Sequence, residues 1–589
     1  MDIRRTVLLG IFGFSSIVLW DNWQLYQGKN ALFSPVKAPI TAPASATAAP
    51  TGSNASVSVA NGNSTTATAI PPNTDNKTAA VAEKIRIQTD VLVLDISTQG
   101  GSLVRAELPA HKESGKSGGG SAWLETLGNL FSSGAHQERE SNKKGDTTGG
   151  DVVLFDQSAA RQYEAQSGLV DVVDAPNHRT LYRLVSQQRT LAAGQDTLEV
   201  VLEAESGGIK DRLVYTLKRG QYAVGVRHEV TNQQTQPVTP SLYVQLLRDG
   251  NKPDGESSFY STFTGPAVYT DTTKFHKVEF SQIEKEKLDR HVKTAAAQEP
   301  AWIGMLQHYF VSAWILPEQS AREIYSDKVN TLYRVGMKQS LGTLAPGATG
   351  KAEATLFVGP QDQNMLAKLA PGLDLVVDYA WLTFIAKPIF ILLQWLYQLV
   401  GNWGWAIVLL TVLIKAAFYP LSAAGYKSMA RMKNVAPRMT AMKERYKDDR
   451  MKMQQAMMEL YKTEKINPMG GCFPILIQIP VFIALYWVLL ASVEMRNAPW
   501  IGWIHDLAAP DPFFILPLIM MGSMFVQYKL NPTPPDPVQA KMMLWMPLVF
   551  GVMFFFFPSG LVLYWVVNNT LSIAQQWRIN TQLVKAGLK

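Results

Sequence analysis

A lysine inside an apolar run is the first residue whose type and place ask for chemistry. Ala406–Pro420, AIVLLTVLIKAAFYP, reads as a membrane-spanning helix with Lys415 within it. An ammonium at the centre of such a helix costs about 2.5–3.5 kcal/mol on insertion scales, so it needs water or a partner. Two readings are open. Lys415 lies five residues before Pro420, about 7–8 Å from that end at the helical rise, and a lysine stem can snorkel most of that way. The alternative is a wet cavity within the bilayer.

Further polar side chains favour the cavity. Thr411 stands one turn before Lys415, on the same face. Gln478 enters the next apolar stretch near one end. Ser523 and Gln527 are spaced i, i+4, and Asn568, Ser572 and Gln575 are spaced i, i+4, i+7 on one helical face. A lone polar residue in a span usually bonds between helices. Stripes at matching depth, with a cation among them, predict a hydrophilic pocket open to the cytoplasm and closed toward the outside. The outer half offers no polar path, which argues against a through-channel. Such a pocket fits a site that receives polar segments part-way into the bilayer.

Other chemistry is scarce. The single cysteine, Cys472, excludes an intrachain disulfide and a Cys-rich zinc site. No metal-ligand spacing, phosphate loop or nucleophile elbow stands out, and His228 and His308 read as sheet residues. No cofactor, no metal and no catalytic residue is expected. Ser559 and His505 both fall in outer turns and could form a hydrolase dyad, but Pro558-Ser-Gly560 reads more simply as a turn. A small-molecule transporter would need paired repeats and a complete polar path.

The elements that must position these residues are unevenly distributed. A mean hydropathy of −0.01 over 589 residues averages a polar N-terminal two-thirds with a very apolar C-terminal third. The net charge of +7 points to a membrane surface or a ribosome-like acidic partner, not to specific DNA binding. Arg4 and Arg5 before the apolar Thr6–Trp20, with no cleavage pattern after it, predict an uncleaved anchor over 1–26 with its N-terminus in the cytoplasm. Residues 27–83, mostly Ala, Thr, Ser, Asn, Gly and Pro, form a disordered tether. Period-two patterns such as Val91–Ile96, Leu213–Leu217 and Leu242–Leu246 predict a β-sandwich domain over 84–360, with a flexible insertion at 111–150.

The aromatic-rich 374–400, interrupted by Lys387-Pro388, reads as an amphipathic helix on the outer surface, ended by Gly401-Asn-Trp-Gly404. A span over about Asn402–Leu421 follows. Residues 422–471 hold eleven Lys/Arg against five Asp/Glu, which keeps them in the cytoplasm. Asp448-Asp449 splits them into a helical hairpin. Met432, Met439 and Met442 share one face, and Met453 and Met457 another. These stripes serve either packing or an adaptable surface for varied partners. Further spans are Phe473–Val493, Pro512–Tyr528 and two within Met542–Trp577. This gives a five-span core over 402–577, six spans in all, and a cytoplasmic tail at 578–589.

Asn467-Pro-Met-Gly-Gly-Cys-Phe-Pro474, with Gln478-Ile-Pro480 after it, closely resembles the motif that opens the third span of the bacterial YidC membrane protein insertases. Gly401-Asn-Trp-Gly404, Trp503-Ile-His-Asp-Leu507, Phe557-Pro-Ser-Gly-Leu-Val-Leu-Tyr564, Leu217-Lys-Arg-Gly-Gln-Tyr-Ala223 and Met305-Leu-Gln-His-Tyr-Phe310 resemble further stretches of that family. The resemblance covers essentially the whole chain outside the tether and the insertion. It implies a multi-domain protein of the bacterial inner membrane, with a periplasmic all-β supersandwich, an α-helical membrane core with an inward-open groove, and a cytoplasmic helical hairpin. It also implies an insertase, not an enzyme. Its partners would be nascent membrane proteins, the SecYEG translocon with its accessory Sec proteins, the ribosome and the phospholipid bilayer. The groove would comprise Lys415, Thr411, Gln478, Ser523, Gln527, Asn568, Ser572 and Gln575, and the hairpin methionines would meet substrate or ribosome. The Gram-negative members typically carry an arginine where this chain has Lys415. The charge is kept, but the rigid five-donor fork is lost.

Overall fold

The computed structural model describes residues 82–113, 150–158, 161–253, 262–285, 293–318, 320–446, 449–463, 473–530 and 537–585. The expected anchor, nearly all of the tether, the core of the insertion, and most of the motif at 467–474 lie outside these.

Alternating sequence becomes two antiparallel sheets, of ten and nine strands among the described residues. In Ala223–Asn232 every second residue is buried, which turns Val224, Val226, His228 and Val230 to one side. Ser241–Asp249, buried from Ser241 through Arg248, is a central strand, paired on one edge by Gln162–Val170 and on the other by Leu332–Ser340. The facing sides interdigitate into one core with Trp302 and Trp314 inside it. His228, at the centre of the second sheet, meets Asp211 on the neighbouring strand (Nδ1 to Oδ2, 2.7 Å) and Ser167 on the opposite sheet (Nε2 to Oγ, 2.9 Å). The domain also holds two short helices, α1 (Phe280–Glu284) and, after its last strand Thr349–Pro360, α2 (Gln363–Leu369), which Asp362 caps through Met365 N–H at 3.0 Å.

The helical region follows as α3 (Thr383–Val400), α4 (Trp403–Ala417), α5 (Tyr419–Arg445), α6 (Arg450–Thr463), α7 (Phe473–Ala491), α8 (Ile515–Leu530), α9 (Pro537–Phe554) and α10 (Ser559–Lys585). Three local outcomes differ from expectation. Lys387-Pro388 does not interrupt α3, which runs through Pro388. One missing backbone bond is outweighed by the buried stripe Ala386, Ile389, Phe390, Leu393 and Leu396. The span expected to reach Leu421 stops at Ala417, and the chain bends by 62° into α5. Pro420 sits in the first turn of α5, where its missing N–H does no harm, but it could not have continued α4. The tail expected from residue 578 begins as a continuation of α10 to Lys585.

Among the described residues, Thr383–Val400 is the one single helix long and apolar enough to cross a membrane, and α4 with Tyr419–Ser428 passes as a bent pair. Ile477–Ala491, Ile515–Leu530 and Lys541–Phe554 are apolar but shorter. In α10 the polar run from Asn568 to Gln576 dilutes the apolar content.

The Gly401–Gly404 motif has a mechanical reading. Gly401 ends α3 in the left-handed conformation (φ +67°). Asn402 caps α4 through Trp405 N–H at 3.1 Å and donates to the Pro499 carbonyl at 3.0 Å. Trp500 lies directly over Gly404, where a Cβ would fall 2.2 Å from its ring. The start of α4 is thus pinned to the loop after α7. The end of α7 and that loop also carry the β domain: His308 Nε2 is 3.0 Å from the Leu490 carbonyl in the last turn of α7, and the Arg496 guanidinium lies 5.0 Å over the Phe310 ring.

Candidate functional site

The half of the helical core next to the β domain is dry. Ile407, Leu410, Leu485, Val488, Val562 and Leu563 meet there, all buried. Polar side chains begin one to two turns further along. Lys415, near the end of α4, is only 6% exposed. Its Nζ donates to Ser572 Oγ on α10 at 2.8 Å. The ammonium therefore turns toward α10 instead of snorkelling outward. No carboxylate stands beside it among the described residues.

Ser572 in turn donates to the Asn568 carbonyl at 2.7 Å. The Asn568 side chain accepts from Gln478 Nε2 on α7 at 3.2 Å. Gln575 Nε2 reaches the Lys415 carbonyl at 3.5 Å, and its Oε1 is buried without a partner. Five of the eight expected groove residues are thus linked across α4, α7 and α10. Ser523 bonds a different residue of α10: Asn569 donates to its Oγ at 3.2 Å. Thr411 is fully buried, but its hydroxyl turns back to the Ile407 carbonyl at 2.7 Å, away from the network. Gln527, on α8, is half-buried.

Two further residues belong here. Asn569 and Gln576 are buried against α8, where Gln576 donates to the Leu530 carbonyl at 3.4 Å. The doublets Asn568-Asn569 and Gln575-Gln576 put amides on two adjoining faces of α10, so spacing alone could not say which face was buried.

The methionine stripes resolve into a packed pair. Met439 is buried with Val435 and Leu460, and Met432, Met442 and Met457 pack against them. Met453 is half-buried, while Met451 and Met458 stand exposed. The dyad has no support: Ser559 is fully buried and its hydroxyl donates to the Ala509 carbonyl at 2.7 Å, while His505 is exposed. Among the described residues no group of His, Cys, Asp and Glu is placed to hold a metal ion.

Two sequence-family models match the chain: the 60Kd inner membrane protein over residues 395–586 and the YidC periplasmic domain over residues 139–392. The membrane protein insertase YidC of Bordetella parapertussis is 52% identical over 601 residues, covering 99% of this chain and 98% of its own. That of Cupriavidus necator is 51% identical over 589 residues, with the same coverage. An active YidC insertase crystal structure with its first transmembrane domain resolved superposes with a TM-score of 0.37 at 17% identity, covering 86% of this chain and 94% of that chain.

Proposed function

The chain belongs to the YidC family of membrane protein insertases, and we propose that it works through the polar network around Lys415. It is an inner-membrane insertase with a periplasmic β-sandwich domain, and it is not an enzyme. In our reading a nascent segment arrives from the cytoplasm. Its polar flank enters between α4, α7 and α10, where Lys415, Gln478, Asn568, Ser572 and Gln575 replace part of its hydration. Its apolar part moves into lipid along α7 and α9. No covalent step is required.

The single observation that carries this reading is the buried Lys415 ammonium bonded to a neutral hydroxyl and with no carboxylate beside it. A buried cation without a counter-ion is costly, and such residues in membrane proteins mark functional interiors. It attracts an anionic or polar group that fits between the helices. The dry half beyond it supports a site that is closed toward the periplasm.

The topology we propose has six spans: the anchor within 1–26, then α4, α7, α8, α9 and α10. Both termini and the helix pair α5–α6 (residues 422–471) then lie in the cytoplasm. Charge supports keeping α3 on the outer surface. If α3 crossed, α4 would return the chain, and a loop with eleven Lys/Arg and five Asp/Glu would share the side of the β domain, against the positive-inside rule. On α9, Trp545, Leu548, Val549, Phe550 and Val552 are all exposed, which suits a lipid-facing wall.

Hairpin contact with arriving chains falls to exposed Met451 and Met458 more readily than to the inward Met439 and its neighbours. The ribosome and the SecYEG translocon are the partners we propose on the cytoplasmic and membrane sides. The test is depletion of this protein in cells, followed by insertion of a small one- or two-span protein. Wild type should rescue insertion and Lys415→Ala should not. Full rescue by Lys415→Ala for every substrate would remove Lys415 from the site.

A further inference from the structure

The doublet Asn568-Asn569 is shared between two neighbours of α10, because successive residues of a helix point about 100° apart. Asn568 takes Gln478 of α7. Asn569, 5% exposed, turns to α8, where its Nδ2 donates to Ser523 Oγ at 3.2 Å and lies 3.4 Å from Met520 Sδ. It enters α8 between two residues one turn apart, as a knob enters a hole. One heptad further on, Gln576, also buried, donates to the carbonyl of Leu530, the last residue of α8. The sequence separation is 46 at both contacts. Equal separations mean that α8 and α10 run in the same direction and in register, while α9 returns the chain between them. One heptad the other way, the same register sets Leu516 against Val562, both buried. One apolar and two polar layers thus repeat about every 10.5 Å along the seam. A buried asparagine in such a seam fixes register, because a slip strands its amide.

From this we infer that Asn569 is a positioning residue that locks α8 to α10 as one body, and that Ser523 belongs to this lock instead of the surface a substrate meets. A slip of one turn would carry α8 about 5.4 Å along α10 and part Asn569 from Ser523 and Gln576 from Leu530. The other side of α10 is tied to α4 and α7 by the groups of Lys415 and Gln478. A polar segment competes for those groups, so its arrival dissolves those bonds and leaves the α8 seam, which it does not touch, intact. The groove therefore opens by parting α4 and α7 from α10, with α8 carried along. The inference rests on the groove reading above and adds to it which walls separate.

The experiment uses the full-length protein with Cys472→Ser, which removes the chain's single cysteine, reconstituted in vesicles. Leu516→Cys/Val562→Cys reports the register, and Met520→Cys/Val562→Cys reports a slip of one turn. Oxidation should cross-link the first pair in preference to the second, which the register holds too far apart for a disulfide. The disulfide of the first pair should leave insertion unchanged for two single-span substrates that carry either two aspartates or two serines in the polar flank. A hydrogen bond between membrane helices is worth about threefold. Ser523→Ala and Asn569→Ser should each lower the preference for the first pair by that factor, and Ser523→Asn added to Asn569→Ser should restore it. Ser523→Ala should treat the two substrates alike. Loss of insertion on oxidation would show that α8 and α10 must part, and would overturn the lock. So would equal cross-linking of the two pairs, no cross-link from the first, or no restoration by the swap. A Ser523→Ala loss confined to the aspartate substrate would return Ser523 to the groove. Wild-type insertion of the aspartate substrate by Lys415→Ala would instead sink the groove reading, while the cross-links still decide the lock.

Discussion

Lys415 Nζ lies 2.8 Å from Ser572 Oγ, across the contact between α4 and α10. This one bond satisfies a single proton of the ammonium and leaves it without a counter-charge. If attraction of the charge is what matters, its loss should be felt by any substrate with a polar flank. Lys415→Ala is expected to lower insertion by about tenfold to a hundredfold, the scale of a hydrogen bond to a charged group. Lys415→Arg keeps the charge and should stay within about threefold, because Arg can bond Ser572 without a bidentate partner. An arginine variant as impaired as the alanine one would show that shape, not charge, is read.

The amide pair Gln478 and Asn568, 3.2 Å apart, joins α7 to α10 at the same level. Hydrogen bonds between helices in membranes average about 0.6 kcal/mol. Gln478→Leu should therefore barely change the amount of folded protein in the membrane, yet make the groove wall apolar. We expect insertion of polar-flank substrates to fall while apolar-flank substrates are unaffected. Adding Asn568→Leu should cost little more. Strong loss of folded protein from Gln478→Leu alone would mean the pair is structural.

The β-sandwich was legible because period-two burial survives in strands such as Ala223–Asn232. The positions of Lys415, Ser572 and Gln478 followed from depth, which counting along a helix gives directly. What counting does not give is which neighbour a side chain meets. Thr411 shares a face with Lys415, yet a buried hydroxyl is most cheaply satisfied by its own helix, four residues back. The bend at Phe418 depended on Pro420, whose effect on the preceding helix is local and readable. Its consequence, that α5 packs against α10, is tertiary. The same limit hid the methionines' use: helical spacing placed Met432, Met439 and Met442 together, and only the partner helix α6 decided that they face inward.

Ser559 makes a prediction of no effect. Its N–H and its hydroxyl both reach the Ala509 carbonyl at 2.7 Å, closing the turn before α10 onto the loop before α8. Ser559→Ala keeps the backbone bond and should cost about 1 kcal/mol of stability. Insertion activity per folded molecule should equal wild type. A large fall in activity at unchanged protein level would revive a hydrolytic role.

Glu494, just past α7, gives the β-domain junction a pH dependence. Burial, with Asp362 nearby, raises its carboxyl from the ordinary value to about 7. A raised acid is more protonated in the folded chain than in the unfolded one, so its contribution is fully present below about pH 4.5 and lost as pH rises through about 7. His308, pushed down to about 4 by burial, acts oppositely below its ordinary value of 6.5. His178, also pushed down to about 4, and His111 act with His308, so the glutamate is read by difference: from pH 6.5 to 8 the thermal midpoint of the purified protein should fall more, or rise less, in wild type than in Glu494→Gln. An unchanged slope in the variant would remove Glu494 as the cause.

His228 makes the strongest stability prediction. Its ring is fully buried and joins Asp211, 2.7 Å away on its own sheet, to Ser167, 2.9 Å away on the other. Asp211 keeps only Tyr182, at 2.7 Å, if the ring is lost, and its other oxygen already has no hydrogen-bond partner. His228→Ala should therefore cost about 2–4 kcal/mol, combining a cavity with a buried polar group left unpaired. Ser167→Ala removes one neutral partner and should cost about 1 kcal/mol. Protease resistance of the domain within the whole chain would rank them, with wild type above Ser167→Ala and His228→Ala last. Insertion of a substrate that needs only the helical groove should be kept at temperatures where the domain stays folded. Equal resistance of His228→Ala and wild type would show that the clasp between the sheets adds nothing to the sandwich.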